Sequence, residues 1–292
     1  MKIADALAWA TNYLREHKIE DPRLEAEILL AHTLGIDRAK LFTIDSVPPP
    51  TFEQFIKRRA SHEPTAYITG IQPFYGLNFF VDRSVLIPRP ETELLVENVI
   101  ASIPHSTFHI SHLTLVDVGT GSGCIAVSLA KQLPNVTVIG IDSSPTALKL
   151  AKKNAQHHGV SDRCKFLLGD LFKPLKEKVD LIISNPPYIP SAVIETLEPE
   201  VKDWEPKEAL DGGRDGLNYI RKLLMEAPNH LAPSSVEGLT TKPPNHQLFI
   251  EIGFDQGEMI RQLAFGAGKY KGIEIIKDFA EKDRIFKAQL SG

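Results

Sequence analysis

The sequence predicts an α/β protein: a seven-stranded, doubly wound sheet preceded by a small N-terminal helical bundle. Three observations lead there. From residue 113 onward, short apolar segments alternate with helical patterns, as a parallel sheet covered on both faces requires. The last two apolar segments are separated only by Ala280-Glu281-Lys282-Asp283, too short for a helical crossover, so they must pair antiparallel. Residues 1–63 instead carry apolar side chains at helical spacing between strong stop signals.

In the first segment, Ile3, Leu7, Ala10 and Leu14 recur on one helical face. Asp21 before Pro22 reads as an N-cap with proline at the first helical position, and Gly35 ends that helix. Asp37 is placed to cap a third, short helix. After Pro48-Pro49-Pro50, Thr51 and Gln54 have capping-box spacing ahead of Phe52, Phe55 and Ile56. Residues 65–87 change character: Tyr67, Ile68, Phe74, Tyr75, Leu77, Phe79, Phe80 and Val81 are strand formers broken by Gly70, Pro73 and Gly76, the pattern of a hairpin. The turn Ile87-Pro88-Arg89-Pro90 leads into a helix carrying Leu94, Leu95, Val99 and Ile100. The predicted strands are Leu113–Val118, Val136–Ile141, Lys165–Leu168, Val179–Ser184, Leu248–Ile252, Gly272–Phe279 and Arg284–Leu290, with a surface loop over 232–246. The chain thus divides into a helical domain at 1–72, a hairpin-like connector at 73–90 and the sheet domain at 91–292.

Composition narrows the function. Lys and Arg number 33 against 37 Asp and Glu, a formal charge of -4, so no global electrostatic footprint for nucleic acid is present. Residues 1–80 hold nine Lys/Arg and ten Asp/Glu, and their one compact basic run, Lys57-Arg58-Arg59, reads as a solvated helix face. Two cysteines, Cys124 and Cys164, supply neither a disulfide framework nor a cysteine-rich zinc site. Asp5, Asn12 and Arg15 break the apolar N-terminus, so no secretory signal is read, and no stretch reaches the roughly 18 apolar residues of a membrane span. A cytoplasmic protein without membrane partners is expected. His157-His158 are adjacent rather than three or four apart, which disfavours a metal pair.

The first long strand runs directly into Gly119-Thr120-Gly121-Ser122-Gly123 and then a helix, the standing geometry for a nucleotide-like ligand at a strand's carboxyl end. A dinucleotide fingerprint needs its third glycine one position later, where Cys124 stands, so a pyrophosphate binder is disfavoured. The next strand ends at Asp142, a carboxylate suited to accept from both hydroxyls of a ribose, or else to cap the helix beginning near Pro145. After the third strand, Asp170 is placed to accept from an adenine amino group and Leu171 to cover the ring; a plain turn is the alternative. Glycine loop, ribose acid and third-strand polar residue together resemble the S-adenosyl-L-methionine site of class I methyltransferases, whose Rossmann-like sheet also ends in an antiparallel seventh strand.

The fourth strand opens into Asn185-Pro186-Pro187-Tyr188. Methylation of an amide or aromatic amine must overcome a planar nitrogen with a delocalised lone pair, so that nitrogen has to be polarised and aimed. The Asn185 side-chain oxygen and the Pro186 carbonyl are suited to take one N–H each and to stabilise the positive charge developing on nitrogen. Pro186 and Pro187 fix the backbone and remove two donors, while Tyr188 offers a flat face for the acceptor. No general base is needed beforehand, because the methylated nitrogen becomes acidic.

This motif occurs in methyltransferases of adenine amino groups and of protein glutamine. Glu63-Pro64-Thr65-Ala66-Tyr67-Ile68-Thr69-Gly70, Phe74-Tyr75-Gly76-Leu77 and Leu86-Ile87-Pro88-Arg89-Pro90-Glu91-Thr92-Glu93 resemble the bacterial-type glutamine methyltransferase acting on peptide chain release factors. Glu205-Pro206, Gly212-Gly213, Asp215-Gly216-Leu217, Glu251-Ile252-Gly253 and Gln256 are similar to the same family, so the resemblance spans essentially the whole chain. It implies methyl transfer from S-adenosyl-L-methionine to the glutamine amide nitrogen of the Gly-Gly-Gln loop in class I release factors, with the helical domain helping to dock that protein. It implies further that Asn185 through Tyr188 hold the amide, with Asn185 also facing the cofactor. Gly119, Thr120, Gly121, Ser122, Gly123, Asp142, Asp170 and Leu171 hold the cofactor, and Phe74 and the Pro88–Glu91 turn wall the acceptor pocket or serve only domain packing. An adenine methyltransferase acting on nucleic acid is the rival; it would need a basic groove or recognition module to handle a flipped base.

Overall fold

The structure, a computed structural model, describes residues 2–44, 47–103, 113–231 and 246–291. The predicted loop at 232–246 lies, apart from His246, outside the described residues. The chain forms two compact units, Met1–Ile71 with Leu197–Glu205, and Gln72–Thr196 with Pro206–Gly292.

The first unit is helical: α1 (Ile3–Glu16), α2 (Pro22–Leu34), α3 (Pro50–Ala60) and α4 (Thr65–Thr69). Ile3, Leu7, Ala10 and Leu14 of α1 pack with Leu29, Leu30, Phe52 and Ile56 into one apolar core. Gly35 ends α2 in the left-handed region at φ 65°, as expected of a C-cap glycine. The predicted N-caps differ. Asp21 is itself left-handed (φ 44°) and makes no side-chain cap bond, nor does Asp37 before the 3-10 turn Arg38–Phe42. The helix α3 begins at Pro50, so Thr51 is already inside it and the capping box does not form; proline, with no N–H to satisfy, sets the starts of α2 and α3 instead. Tyr67 and Ile68, expected to be extended, are helical and buried within α4, which Gly70 closes at φ 73°. The basic run is also not one solvated face: Arg59 is buried and pairs with Glu25 (3.1 Å) and Glu200 (2.6 Å).

In the second unit, β2 (Leu77–Phe80) pairs with β1 (Ile71–Phe74) across a tight turn in which Tyr75 (φ 50°) and Gly76 (φ 71°) are left-handed. Then follow α5 (Pro90–Ser102), β3 (Leu113–Val118), α6 (Cys124–Gln132), β4 (Val136–Asp142), α7 (Pro145–His157), β5 (Cys164–Leu168) and β6 (Leu181–Ser184). Two short helices, α8 (Ser191–Ile194) and the first unit's α9 (Pro199–Lys202), precede α10 (Asn218–Glu226). The chain closes with β7 (Gln247–Glu251), α11 (Gly257–Ala267), β8 (Tyr270–Lys277) and β9 (Asp283–Leu290). The sheet has seven strands in the order β5-β4-β3-β6-β7-β9-β8, parallel through β7, with β9 antiparallel to both its neighbours.

Alternation explains why these strands read as unbroken apolar runs. Leu113 and Leu115 of β3, Val138 of β4, Ile183 of β6 and Phe249 of β7 face one core with α5 and α6, while Val116, Val118, Ile139, Ile182, Leu248 and Ile250 face a second core with α10 and α11. Both faces are covered, so neither parity is polar. Two carboxylates, Asp117 and Glu251, nevertheless fall on the first face and are buried.

Candidate active site

Strand register assembles the site. Val118 stands opposite Ile141 on one side and Ser184 on the other, and Asp142 opposite Leu168. The segments after β3, β4, β5 and β6 therefore emerge level, on either side of the point where the chain reverses its direction of sheet growth. The Ser184 hydroxyl donates to the Val118 carbonyl (2.7 Å), which ties the two central strand ends together. A cavity of about 450 Å³ opens there, within the range of small-ligand sites.

Gly119, Thr120, Gly121, Ser122, Asp142, Asp170, Leu171, Asn185, Pro186 and Pro187 all line this cavity. Gly119 (φ 77°) and Gly121 (φ 53°) are left-handed, and a Cβ on either would meet nothing nearer than the Asn185 carbonyl at 3.9 Å, so the loop presents bare backbone to open space. Asp142 accepts from the Gly121 N–H (2.8 Å) through Oδ2 and from the Ser144 N–H (2.9 Å) through Oδ1. It braces the glycine loop and the start of α7 together, and each oxygen keeps a lone pair for a ribose hydroxyl. Asp170 pairs with Lys173 (2.7 Å). Leu171 carries φ 50°, a costly conformation for a branched side chain, which holds it at the cavity wall. Loop, acid and apolar wall fit an adenosine-bearing cofactor.

Three predicted residues sit elsewhere. Gly123 does not line the cavity; it begins α6 at φ 79°, and a Cβ there would lie 3.0 Å from Ala151, so its lack of a side chain lets α6 approach α7. Phe74 is buried in the core edge-on to Phe79 and does not line the cavity. Tyr188 does not line the cavity either; its hydroxyl donates to Glu251 Oε1 (3.3 Å) and its ring packs on the second core. Of the Pro88–Glu91 turn, Pro88 and Arg89 line the cavity.

The acceptor loop is strapped along its backbone. Gln256 Nε2 donates to the Tyr188 carbonyl (2.9 Å) while its Oε1 accepts from the Gly253 N–H (2.8 Å). Ile189 N–H donates to Leu210 (3.1 Å) and Gly212 N–H to Ile189 (2.8 Å).

Thr92, a cavity residue that the sequence reading treated only as part of a turn, accepts from Asn185 Nδ2 (3.1 Å). Glu251 on β7 accepts from the Tyr188 hydroxyl through Oε1, while its Oε2 is buried without a hydrogen-bond partner among the described residues. Burial pushes the Glu251 carboxyl up to about 7, with Glu91 adding to the rise and Thr92, Arg284 and Tyr188 opposing it. Asp117, beneath the glycine loop, is likewise pushed up to about 7 by burial, against the Thr120 hydroxyl that donates to it at 2.6 Å. A buried Glu on an inward-facing β7 position was the available signal here, but its partner Tyr188 comes from the loop after β6, far away in sequence.

Comparison with known proteins adds to this geometry. Residues 5–70 match the family described as the PrmC N-terminal domain, and residues 109–228 a methyltransferase domain family. The release factor glutamine methyltransferase of Geobacter sulfurreducens is 43% identical over 264 residues, covering 88% of this chain and 86% of that protein. That of Moorella thermoacetica is 40% identical, covering 99% and 98%. Among solved structures, a methyltransferase from Pyrococcus furiosus aligns with TM-score 0.51 at 17% identity, over 74% of this chain and 90% of that one. The human hMettl16 catalytic domain aligns with TM-score 0.54 at 14% identity, over 80% and 82%. At those identities the structural likeness is one of fold.

Proposed function

The chain belongs to the release factor glutamine methyltransferase family, class I enzymes that use S-adenosyl-L-methionine, and on that premise we propose that it methylates the glutamine amide nitrogen of the Gly-Gly-Gln motif in class I release factors. The observation that carries this reading is the orientation of Asn185. Its amide nitrogen is committed to Thr92, so its oxygen remains as an acceptor on the same cavity as the glycine loop.

When bound, S-adenosyl-L-methionine supplies an electrophilic methyl group on a sulfonium. The backbone of Gly119–Ser122, the Asp142 carboxylate and Asp170-Leu171 would hold it. Asn185 Oδ1 and the Pro186 carbonyl accept the two N–H groups of the target amide, which aims the nitrogen and stabilises its developing positive charge. Pro186 and Pro187 offer no competing donors. The excess proton leaves the nitrogen after transfer, since the methylated amide is acidic. Much of the rate enhancement is positional, and the straps on Tyr188 and Ile189 supply the rigidity that this demands. No described helix is long and apolar enough to cross a membrane, and Cys124 and Cys164 are free and buried. Both suit a reaction on a translation protein in the cytoplasm.

The test incubates the protein and labelled S-adenosyl-L-methionine with a release factor, its Gly-Gly-Ala variant and an adenine-rich oligonucleotide. Label on the glutamine amide, absent from the variant and lost with Asn185→Ala, is expected. Label on adenine with an unmodified release factor overturns the reading.

A further inference from the structure

We propose that Asn154, on α7, is a positioning residue for cofactor binding: it fastens the glycine loop to the β1–β2 hairpin, so that the order of the hairpin and the affinity of the loop for its ligand are linked. The inference rests on the cofactor half of the reading above, not on which nitrogen receives the methyl group.

Asn154 is completely buried, and its amide is spent on backbone groups. Nδ2 donates to the Phe80 carbonyl (3.0 Å) and to the Ser122 carbonyl (2.8 Å), while Oδ1 accepts from the Phe80 N–H (2.8 Å). The amide thus pairs with Phe80 as a neighbouring strand residue would, and its second N–H reaches the glycine loop. That loop needs the hold. A turn of the Ser122–Gly123 peptide requires a change of φ at Gly123, which glycine permits. Backbone accounting shows why Ser122 is the residue to hold. The Gly119 and Thr120 N–H groups donate to the Ile141 carbonyl (2.8 and 2.9 Å), Gly121 donates to Asp142 (2.8 Å) and Gly123 to the Thr120 carbonyl (2.8 Å). Within the loop, the Ser122 N–H alone has no partner among the described residues, although Ser122 is buried and lines the cavity. That donor is left for a ligand, and Asn154 grips the residue that carries it.

The hairpin is held firmly enough to serve as an anchor. On the α7 side, Lys153 Nζ stands 3.7 Å from the centre of the Phe80 ring and His157 packs edge-on against it at 4.9 Å, so α7 grips Phe80 by side chain as well as by backbone. At its other fastenings, Gln72 Nε2 donates to the Pro88 carbonyl (3.3 Å) and the Tyr75 N–H donates to Glu93 Oε1 on α5 (2.8 Å). Pro88 lines the cavity, and α5 also carries Thr92, the acceptor for Asn185 Nδ2. The hairpin therefore ties the glycine loop to the segment that orients Asn185, although none of residues 71–80 lines the cavity itself. Linkage of this kind is reciprocal. A ligand that orders the loop steadies the hairpin, and a loosened hairpin weakens the ligand by the same factor.

The experiment compares wild type with Asn154→Leu, Glu93→Ala and Glu93→Gln. It reads S-adenosyl-L-methionine affinity by calorimetry and backbone amide exchange by NMR, with and without that cofactor. Asn154→Leu keeps the size of the side chain and removes its hydrogen bonds. Glu93→Ala frees the hairpin turn from a position outside the cavity, and Glu93→Gln puts an acceptor oxygen back. In wild type, the cofactor is expected to slow exchange at Phe80 and its β2 neighbours at least about threefold more than at β8, the edge strand of the sheet. Asn154→Leu should bind the cofactor at least about tenfold more weakly and lose that protection. Glu93→Ala should bind about threefold more weakly, and Glu93→Gln as wild type does. Without cofactor, the Gly121 and Gly123 amides should exchange at least about threefold faster in Glu93→Ala than in Glu93→Gln. Wild-type affinity in Asn154→Leu, or loop exchange in Glu93→Ala equal to that of Glu93→Gln, overturns the link. If Asn154→Leu fails to fold, the Glu93 pair decides it. A wild-type protein that takes up no S-adenosyl-L-methionine overturns the cofactor reading instead, and the cofactor-free exchange of the loop still decides the link.

Discussion

The Gly121 amide donates to Asp142 Oδ2 over 2.8 Å, which joins the glycine loop after β3 to the end of β4. One carboxylate therefore shapes the loop and lines the cavity, so replacing it has two effects. Asp142→Asn keeps the side chain's size but sets an NH2 against either the Gly121 or the Ser144 N–H, and it leaves one acceptor oxygen where there were two. We expect cofactor affinity to fall roughly 10- to 100-fold, or about 1.4–3 kcal/mol, with a smaller change in melting temperature. Calorimetric titration with S-adenosyl-L-methionine checks this.

Gly216 lies beneath the acceptor loop at φ 75°, and a Cβ there would stand 2.3 Å from the Tyr188 carbonyl and 2.7 Å from Gln256 Nε2. Gly216→Ala must push the loop away or break its strap. A loss of about 2 kcal/mol in stability and at least about tenfold in turnover is expected, with cofactor affinity close to wild type. Denaturant melts and single-turnover rates separate the two effects.

Glu251 and Asp117 give stability a pH dependence of definite sign. Ordinary values are 4.5 and 3.8, and burial raises both to about 7. Between those limits the unfolded chain has already lost protons that the folded chain keeps. Stability therefore falls as pH climbs from about 4 to 7 and levels off above that, by up to about 1.4 kcal/mol per pH unit for each group. Relative to wild type, Glu251→Gln and Asp117→Asn should gain stability between pH 5 and pH 8. Urea titrations at the two pH values would contradict this if the gap narrowed.

Arg59 holds Glu25 and Glu200 in the helical unit while almost completely buried. Arg59→Met should cost about 1–3 kcal/mol, and adding Glu25→Gln should restore part of it, because Glu25 is the less exposed of the two carboxylates left behind. Both tryptophans, Trp9 and Trp204, belong to this unit, so their fluorescence follows its unfolding directly.

Features written in consecutive residues were legible in the sequence. The β3 strand was read to its ends, and the glycine loop, Asp142 and Asn185 fall on one cavity because each sits at the end of an apolar run whose register with its neighbours is set by burial. What escaped depends on side chains meeting across the fold. Thr92 reaches Asn185 across 93 positions and Arg59 reaches Glu200 across 141, with no local pattern to announce either. Phe74, read as a wall of the acceptor pocket or else domain packing, lies in the core, and Tyr188, read as a face for the acceptor, is partly buried against the second core. The capping errors had a local cause: Pro22 and Pro50 begin their helices without needing the side-chain acceptors beside them.

The stretch Leu197–Glu205 belongs with the helical unit although the chain on both sides of it belongs to the sheet unit. Dissection at a single cut near residue 72 would consequently yield no faithful halves. The N-terminal fragment would lack Glu200 and leave the Arg59 guanidinium short of a counter-ion, while the C-terminal fragment would carry a stranded loop with Trp204 stripped of its native neighbours. A graft that moves the helical unit onto another methyltransferase has to carry both pieces.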